Sequence, residues 1–174
     1  MRHTSLMFTL LLSCQLHSTD SASNEPLPPE IINLESWRLG SEATDLYPEH
    51  IPEEQICPLT AFRMELEQLE IQMGICNYAH VVFELNQDLP AGTKTELLTL
   101  HTGLWAEEAG LAHIAWGIED DILWEATPPI PSQAEFFFTE YTTTEAYKKG
   151  DQARLHLHNH GANDWKIGYF KIAE

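Results

Sequence analysis

"QARLHLHNH", residues 152–160, decides how this chain is read. Ala153, Leu155 and Leu157 alternate with Arg154, His156 and His158, and His160 continues the second set. Side chains of a β-strand point to opposite faces with period two. The stretch is therefore expected to be a strand with one aliphatic face on a core. Its other face, an arginine and imidazoles, is expected on a surface or cleft wall outside the sandwich interior. "GAN" then turns the chain into "DWKIGYFKI", a second alternating run ending at Ile172.

The same reading extends toward the N-terminus. "CNYAHVVFEL", "TELLTLH", "AHIAWGI", "ILWEAT" and "AEFFFTEYTTT" are short runs rich in β-branched and aromatic residues. "LPAG", "EDD" and "KKGD" separate some of them as turns. About seven strands with no helical segment between them make the expected fold all-β, an antiparallel β-sandwich of jelly-roll type. "LTAFRMELEQLEIQM", residues 59–73, carries two competing patterns. Leu59, Phe62, Leu66, Leu69 and Met73 fall at helical spacing, whereas Phe62, Met64 and Leu66, then Leu69, Ile71 and Met73, alternate about one slipped residue. The β-rich surroundings favour a strand interrupted by a bulge.

This places the sandwich at residues 59–174. Residues 31–58 hold scattered apolar anchors (Ile31, Leu34, Trp37, Leu46) among Pro48, Pro52 and Pro58. They are read as an irregular segment packed on the domain. Residues 14–30 are polar and proline-containing, a flexible tether. Residues 1–13 combine a short positive start with an apolar run too short to span a bilayer, a signal peptide. It ends in Leu11-Leu12-Ser13-Cys14, which resembles the lipobox of bacterial lipoproteins and implies lipidation (palmitate) at Cys14. The alternative is a plain secretory signal cut near Ser21-Ala22-Ser23. With Cys14 lipidated, Cys57 and Cys76 are left as an even pair and are expected to form a disulfide in an oxidising periplasm.

Nine basic residues face 27 acidic ones, a formal net charge of −18. Such a chain repels phosphate backbones, which excludes nucleic acid as a partner. Cations, neutral glycans or a basic envelope protein suit it better.

Neighbouring histidines on one strand face lie about 6.5–7 Å apart, and those four residues apart about 13 Å. One ion can thus take His156 with His158, or His158 with His160, and needs a donor from another strand. His113 shares its face with the small residues Ala115 and Gly117; His101 and His80 end or interrupt other strands. The candidate metal ligands are His156, His158 and His113, with His101 and His160 in reserve, and imidazole donors suit copper or zinc. The competing reading of the same histidines is structural or surface placement. A carbohydrate or cell-wall ligand would instead use Trp105 and Trp165, with Trp124 and Tyr141, as stacking rings, and Asn163 and Asp164 as hydrogen-bonding groups. No nucleophile elbow, phosphate loop or HExxH motif is present, so no catalytic residue is assigned.

"CNYAHV", "AHIAW", "LWEATPPIP" and "HLHNHGANDW" together resemble a group of uncharacterised lipoproteins of Gram-negative bacteria, over residues 57–172. The resemblance implies an exported, lipid-anchored β-sandwich of the cell envelope and supplies no activity. Gln15 after the lipid-bearing cysteine resembles the sorting signal for the outer membrane, facing the periplasm or the exterior. More distantly, the histidine strand resembles the β-sandwiches of copper type II monooxygenases. This chain lacks their two-domain length and paired copper sites, so their chemistry is not carried over.

Overall fold

The computed structural model describes residues 30–173. The stretch expected to be a signal peptide, Cys14 and nearly all of the expected tether lie outside the described residues. Twelve strands form: β1 Arg38–Leu39, β2 Phe62–Glu65, β3 Gln68–Gln72, β4 Tyr78–Glu84, β5 Lys94–Leu104, β6 Gly110–Leu111, β7 His113–Ile118, β8 Asp121–Ala126, β9 Pro129–Ile130, β10 Ser132–Thr142, β11 Gln152–His158 and β12 Asp164–Ile172. They make two five-stranded sheets, ordered β1-β4-β11-β7-β8 and β10-β5-β12-β3-β2, with β6 and β9 as a small separate pair. Every pairing is antiparallel. The fold is the expected antiparallel β-sandwich.

The core lies between the sheets. The first sheet contributes Val81 and Phe83 from β4, Leu155 and Leu157 from β11, and Ile114, Trp116 and Ile118 from β7, all buried. The second contributes Leu69, Ile71, Leu97, Trp165, Ile167 and Phe170. Trp116 bridges the two layers, stacking on Phe83 at 5.6 Å and meeting Phe170 at 6.1 Å. Its indole N–H donates to Thr99 Oγ1 at 3.2 Å, satisfying a polar atom that burial would otherwise penalise. The leucine row of the histidine strand points inward, as alternation requires.

Residues 59–73 are neither one helix nor one bulged strand. A 3-10 turn at Leu59–Ala61 leads into β2 and β3, which pair as a hairpin with Glu65 opposite Gln68. Leu66 and Glu67 turn the chain with φ of 50° and 63°. A two-residue hairpin turn of this hand demands positive φ at both positions, and glycine or asparagine usually fills them.

Ile31, Ile32 and Leu34 enter the core between the sheets, and residues 40–50 then run across the outer face of the first sheet. β1 pairs with the edge strand β4, and short 3-10 turns occupy Leu34–Ser36, Glu42–Thr44 and Pro48–His50. Gly117 on β7 makes room for this cover: a Cβ there would sit 2.8 Å from Leu46 Cδ2 and 2.6 Å from the Asp121 carbonyl. The far end is fastened by the Cys57–Cys76 disulfide, and by Asn77, which accepts from Ile56 N–H and donates to the Glu54 carbonyl, each at 2.8 Å.

Candidate metal centre

The imidazole face of β11 is outside the sandwich interior, yet it is no open surface. The segment roofs it, and His156 is wholly buried. Register explains which side chains meet. His156 stands opposite Ala115 on β7 and His80 on β4, and His158 opposite His113. Because Ala115 offers almost no side chain, His113 leans into the space beside His156, with ring centroids 5.0 Å apart. The Pro48–His50 turn lowers His50 onto the pair, at 4.6 Å from His113 and 5.8 Å from His156.

One nitrogen from each of His50, His113 and His156 lies within 4.8 Å of the other two, so the three can converge on one ion. The second nitrogen of each buried ring is held by a carboxylate. His156 Nδ1 donates to Asp45 Oδ1 at 2.7 Å, and His113 Nε2 donates to Glu125 Oε2 at 3.3 Å. A carboxylate only accepts, so these contacts fix the tautomers. In neutral rings the lone pairs then sit on His113 Nδ1 and His156 Nε2. His113 Nδ1 is 2.8 Å from His50 Nδ1, and His156 Nε2 is buried with no hydrogen-bond partner. A buried imidazole nitrogen without a partner is costly unless something else binds it. Ring, backing carboxylate and free nitrogen are the arrangement that metal-ligating histidines use.

The backing groups are themselves secured. Asp45 accepts from the Tyr47 backbone N–H at 2.6 Å and from the Tyr78 hydroxyl at 2.8 Å. Burial alone would raise its pKa. The bond and charge of His156, aided by those two donors, overturn that and hold the carboxyl below the usual range. Tyr47 donates its hydroxyl to Glu125 and lays its ring edge-on to His113 at 4.5 Å. Burial, then Glu125, pushes the Tyr47 pKa up to about 12. Burial lowers the pKa of His113, so its neutral, metal-competent form prevails at neutral pH.

Of the residues singled out in the sequence, the structure brings together His156 and His113. His158 stands beside them, half-buried, but outside the converging set. The pairing of His156 with His158 on one ion is thus corrected: the strand partner His113 is nearer the centre than the neighbour along the chain. His101 is no reserve ligand. It points between the sheets, 4.8 Å from the Trp165 ring and 5.8 Å from Phe137. His160 lies beyond the end of β11, exposed, and also outside the set. His80 is buried two positions across from β7, with Nδ1 3.0 Å from the Ser41 carbonyl and 3.9 Å from Asp45. His50, Asp45 and Tyr47 were not anticipated.

The proposed stacking set does not assemble either. Trp165 is fully buried in the core and cannot offer a ring to a ligand. Asn163 is committed internally, accepting from Trp105 N–H and donating to the His160 carbonyl at 2.8 Å. Asp164 lines a shallow cleft with Gln72 and Ile75, and Trp124 packs on Phe137 at 5.2 Å. Only Trp105 keeps an open ring, 59% exposed. The unanticipated aromatic surface is the outer face of the second sheet, where Phe136 and Phe138 are 70% and 56% exposed. The acidic turn Glu119-Asp120 holds no free carboxylate cage, since Arg154 bonds both residues, at 2.6 and 2.8 Å.

Neither a protein-family model nor a curated protein matches the sequence. Solved structures similar to it include carbohydrate-binding modules. One is TmCBM61 in complex with β-1,4-galactotriose, at 13% identity over 82% of this chain and 90% of that one, TM-score 0.42. A second is the CBM36-1 domain of a multidomain xylanase from the hindgut metagenome of Trinervitermes trinervoides, at 15% identity over 84% and 98%, TM-score 0.39. A third is the C-terminal CBM6 of a laminarinase from Zobellia galactanivorans, at 10% identity over 70% and 98%, TM-score 0.41. Likeness of this degree identifies no ligand for this chain.

Proposed function

We propose that this chain is an exported binding module that holds one copper or zinc ion through His50, His113 and His156. The observation that carries the reading is the pair of buried imidazoles, each clamped by a carboxylate at one nitrogen, with His50 packed against both rings. Three protein donors leave a coordination position for water or a small donor. The acidic surface raises the local cation concentration. Attachment through a lipid on Cys14, with an outer-membrane address, is part of this proposal and fits cation holding or delivery at the envelope.

Equilibrium dialysis followed by mass spectrometry tests it. The metal-stripped full chain should take up one equivalent of copper or zinc. His113→Ala with His156→Ala should weaken uptake at least 100-fold, and His158→Ala should leave it within a few-fold. Undiminished uptake by the double variant would refute the assignment.

A second reading, glycan binding, is favoured by the outer face of the second sheet. Phe138 pairs with Leu98, which pairs with Tyr169 on its other side, so aromatic rings flank one row of the face. Two strand spacings, about 9.6 Å, separate them. Flat exposed rings at such spacing suit stacking on sugars. Affinity electrophoresis in soluble polysaccharides should show retardation that Phe136→Ser with Phe138→Ser abolishes. Identical mobility with and without polysaccharide removes this reading.

A further inference from the structure

We infer that the His50–His113–His156 centre selects a divalent ion, copper(II) or zinc(II), over copper(I). The inference rests on the metal-binding reading above and adds the charge state of the ion.

Three observations carry it. The first is the closeness of two rings. His50 Nδ1 and His113 Nδ1 are hydrogen-bonded at 2.8 Å. Tyr47 holds both, stacking on His50 at 5.2 Å and meeting His113 edge-on, with its hydroxyl tied to Glu125. Two-coordinate copper(I) places its donors on opposite sides of the ion, about 4 Å apart with bonds of about 2.0 Å.

The second is the donor set. All three converging atoms are imidazole nitrogens. Among the described residues no sulfur is at the centre. Cys57 and Cys76 are bonded to each other, Met73 is in the core between the sheets, and Met64 lies on β2 of the opposite sheet. Copper(I) is a soft ion that favours thiolate and thioether. The third is charge. The side chain of Asp45, wholly buried, and Glu125 each stand one ring away from the ion. Two carboxylates at that range favour a divalent ion over a monovalent one and raise the basicity of the rings between them.

The test loads the metal-stripped full chain with copper(II) and records its electron paramagnetic resonance spectrum. Coupling to three nitrogens is expected, reduced to fewer nitrogens in His50→Ala. A copper(I) chelator should strip the reduced protein at least 100-fold more readily than an equally strong copper(II) chelator strips the oxidised one. Equal retention of copper(I) overturns the selectivity while leaving metal binding standing. Failure to bind either divalent ion overturns both.

Discussion

His101 and His156 are buried to the same degree, each with a side chain fully withdrawn from solvent. Their surroundings differ in kind. His101 sits between the sheets against Trp165 and Phe137, neither ring nitrogen has a partner, and the nearest carboxylate, on Glu135, is 3.9 Å away. His156 lies under the covering segment, with Asp45 on one nitrogen and the rings of His50 and His113 packed beside it. Burial therefore says little about what a histidine does. The partners at its two nitrogens say much more. One site is a neutral ring used as packing, and the other is wired for a charge.

The sharpest way to break the comparison is to remove both rings in the same way. His156→Leu should cost about 3 kcal/mol, because the buried Asp45 carboxylate loses a hydrogen-bond donor. His101→Leu should be neutral or stabilising, since it replaces an unpaired polar ring with an apolar side chain. Urea unfolding of the two metal-free variants checks this, and equal losses would erase the distinction. A smaller effect is expected from the carboxylates. Asp45→Asn should weaken metal affinity about 10–100-fold, whereas Glu135→Gln should leave it unchanged, as isothermal titration would show.

The smallest effect is on pH dependence. Burial pushes the His101 pKa below its ordinary value. The unfolded chain then binds a proton at this site before the native state does, so stability rises with pH. The contribution is complete above the unfolded value, about 6.5, and is lost as pH falls from there toward the depressed native value. His101→Leu should flatten part of the decline in the urea midpoint between about pH 6.5 and pH 5. The burial-lowered His80, His113 and His158 account for a remaining slope of the same sign. A decline as steep in the variant as in the wild type would show that His101 is not charged on unfolding.

The sandwich was legible because its evidence is local. Leu155 and Leu157 against His156 and His158 set the phase of one strand, and Ile114, Trp116 and Ile118 against His113 set another. The phase of β5 was not legible, since both Leu97 and Leu98 are apolar; hence His101 was kept as a reserve ligand although it faces the core. The hairpin of β2 and β3 was hidden because leucine and glutamate occupy positions where a glycine would have signalled the turn. Half of the centre was legible. His50 is 63 residues from His113, and Asp45 is 111 from His156, in a stretch without periodicity. The available signal was indirect: a proline-rich segment with apolar anchors has to lie on some face, and the imidazole face was the one left uncovered.

The Gly117 gap that admits Leu46 has a mechanical consequence. The strap it seats carries His50, and with it Asp45, the clamp of His156, while His113 and His156 belong to the layer below. On the metal-binding proposal, release of the ion would require only that residues 40–54 lift off, with the two sheets left together.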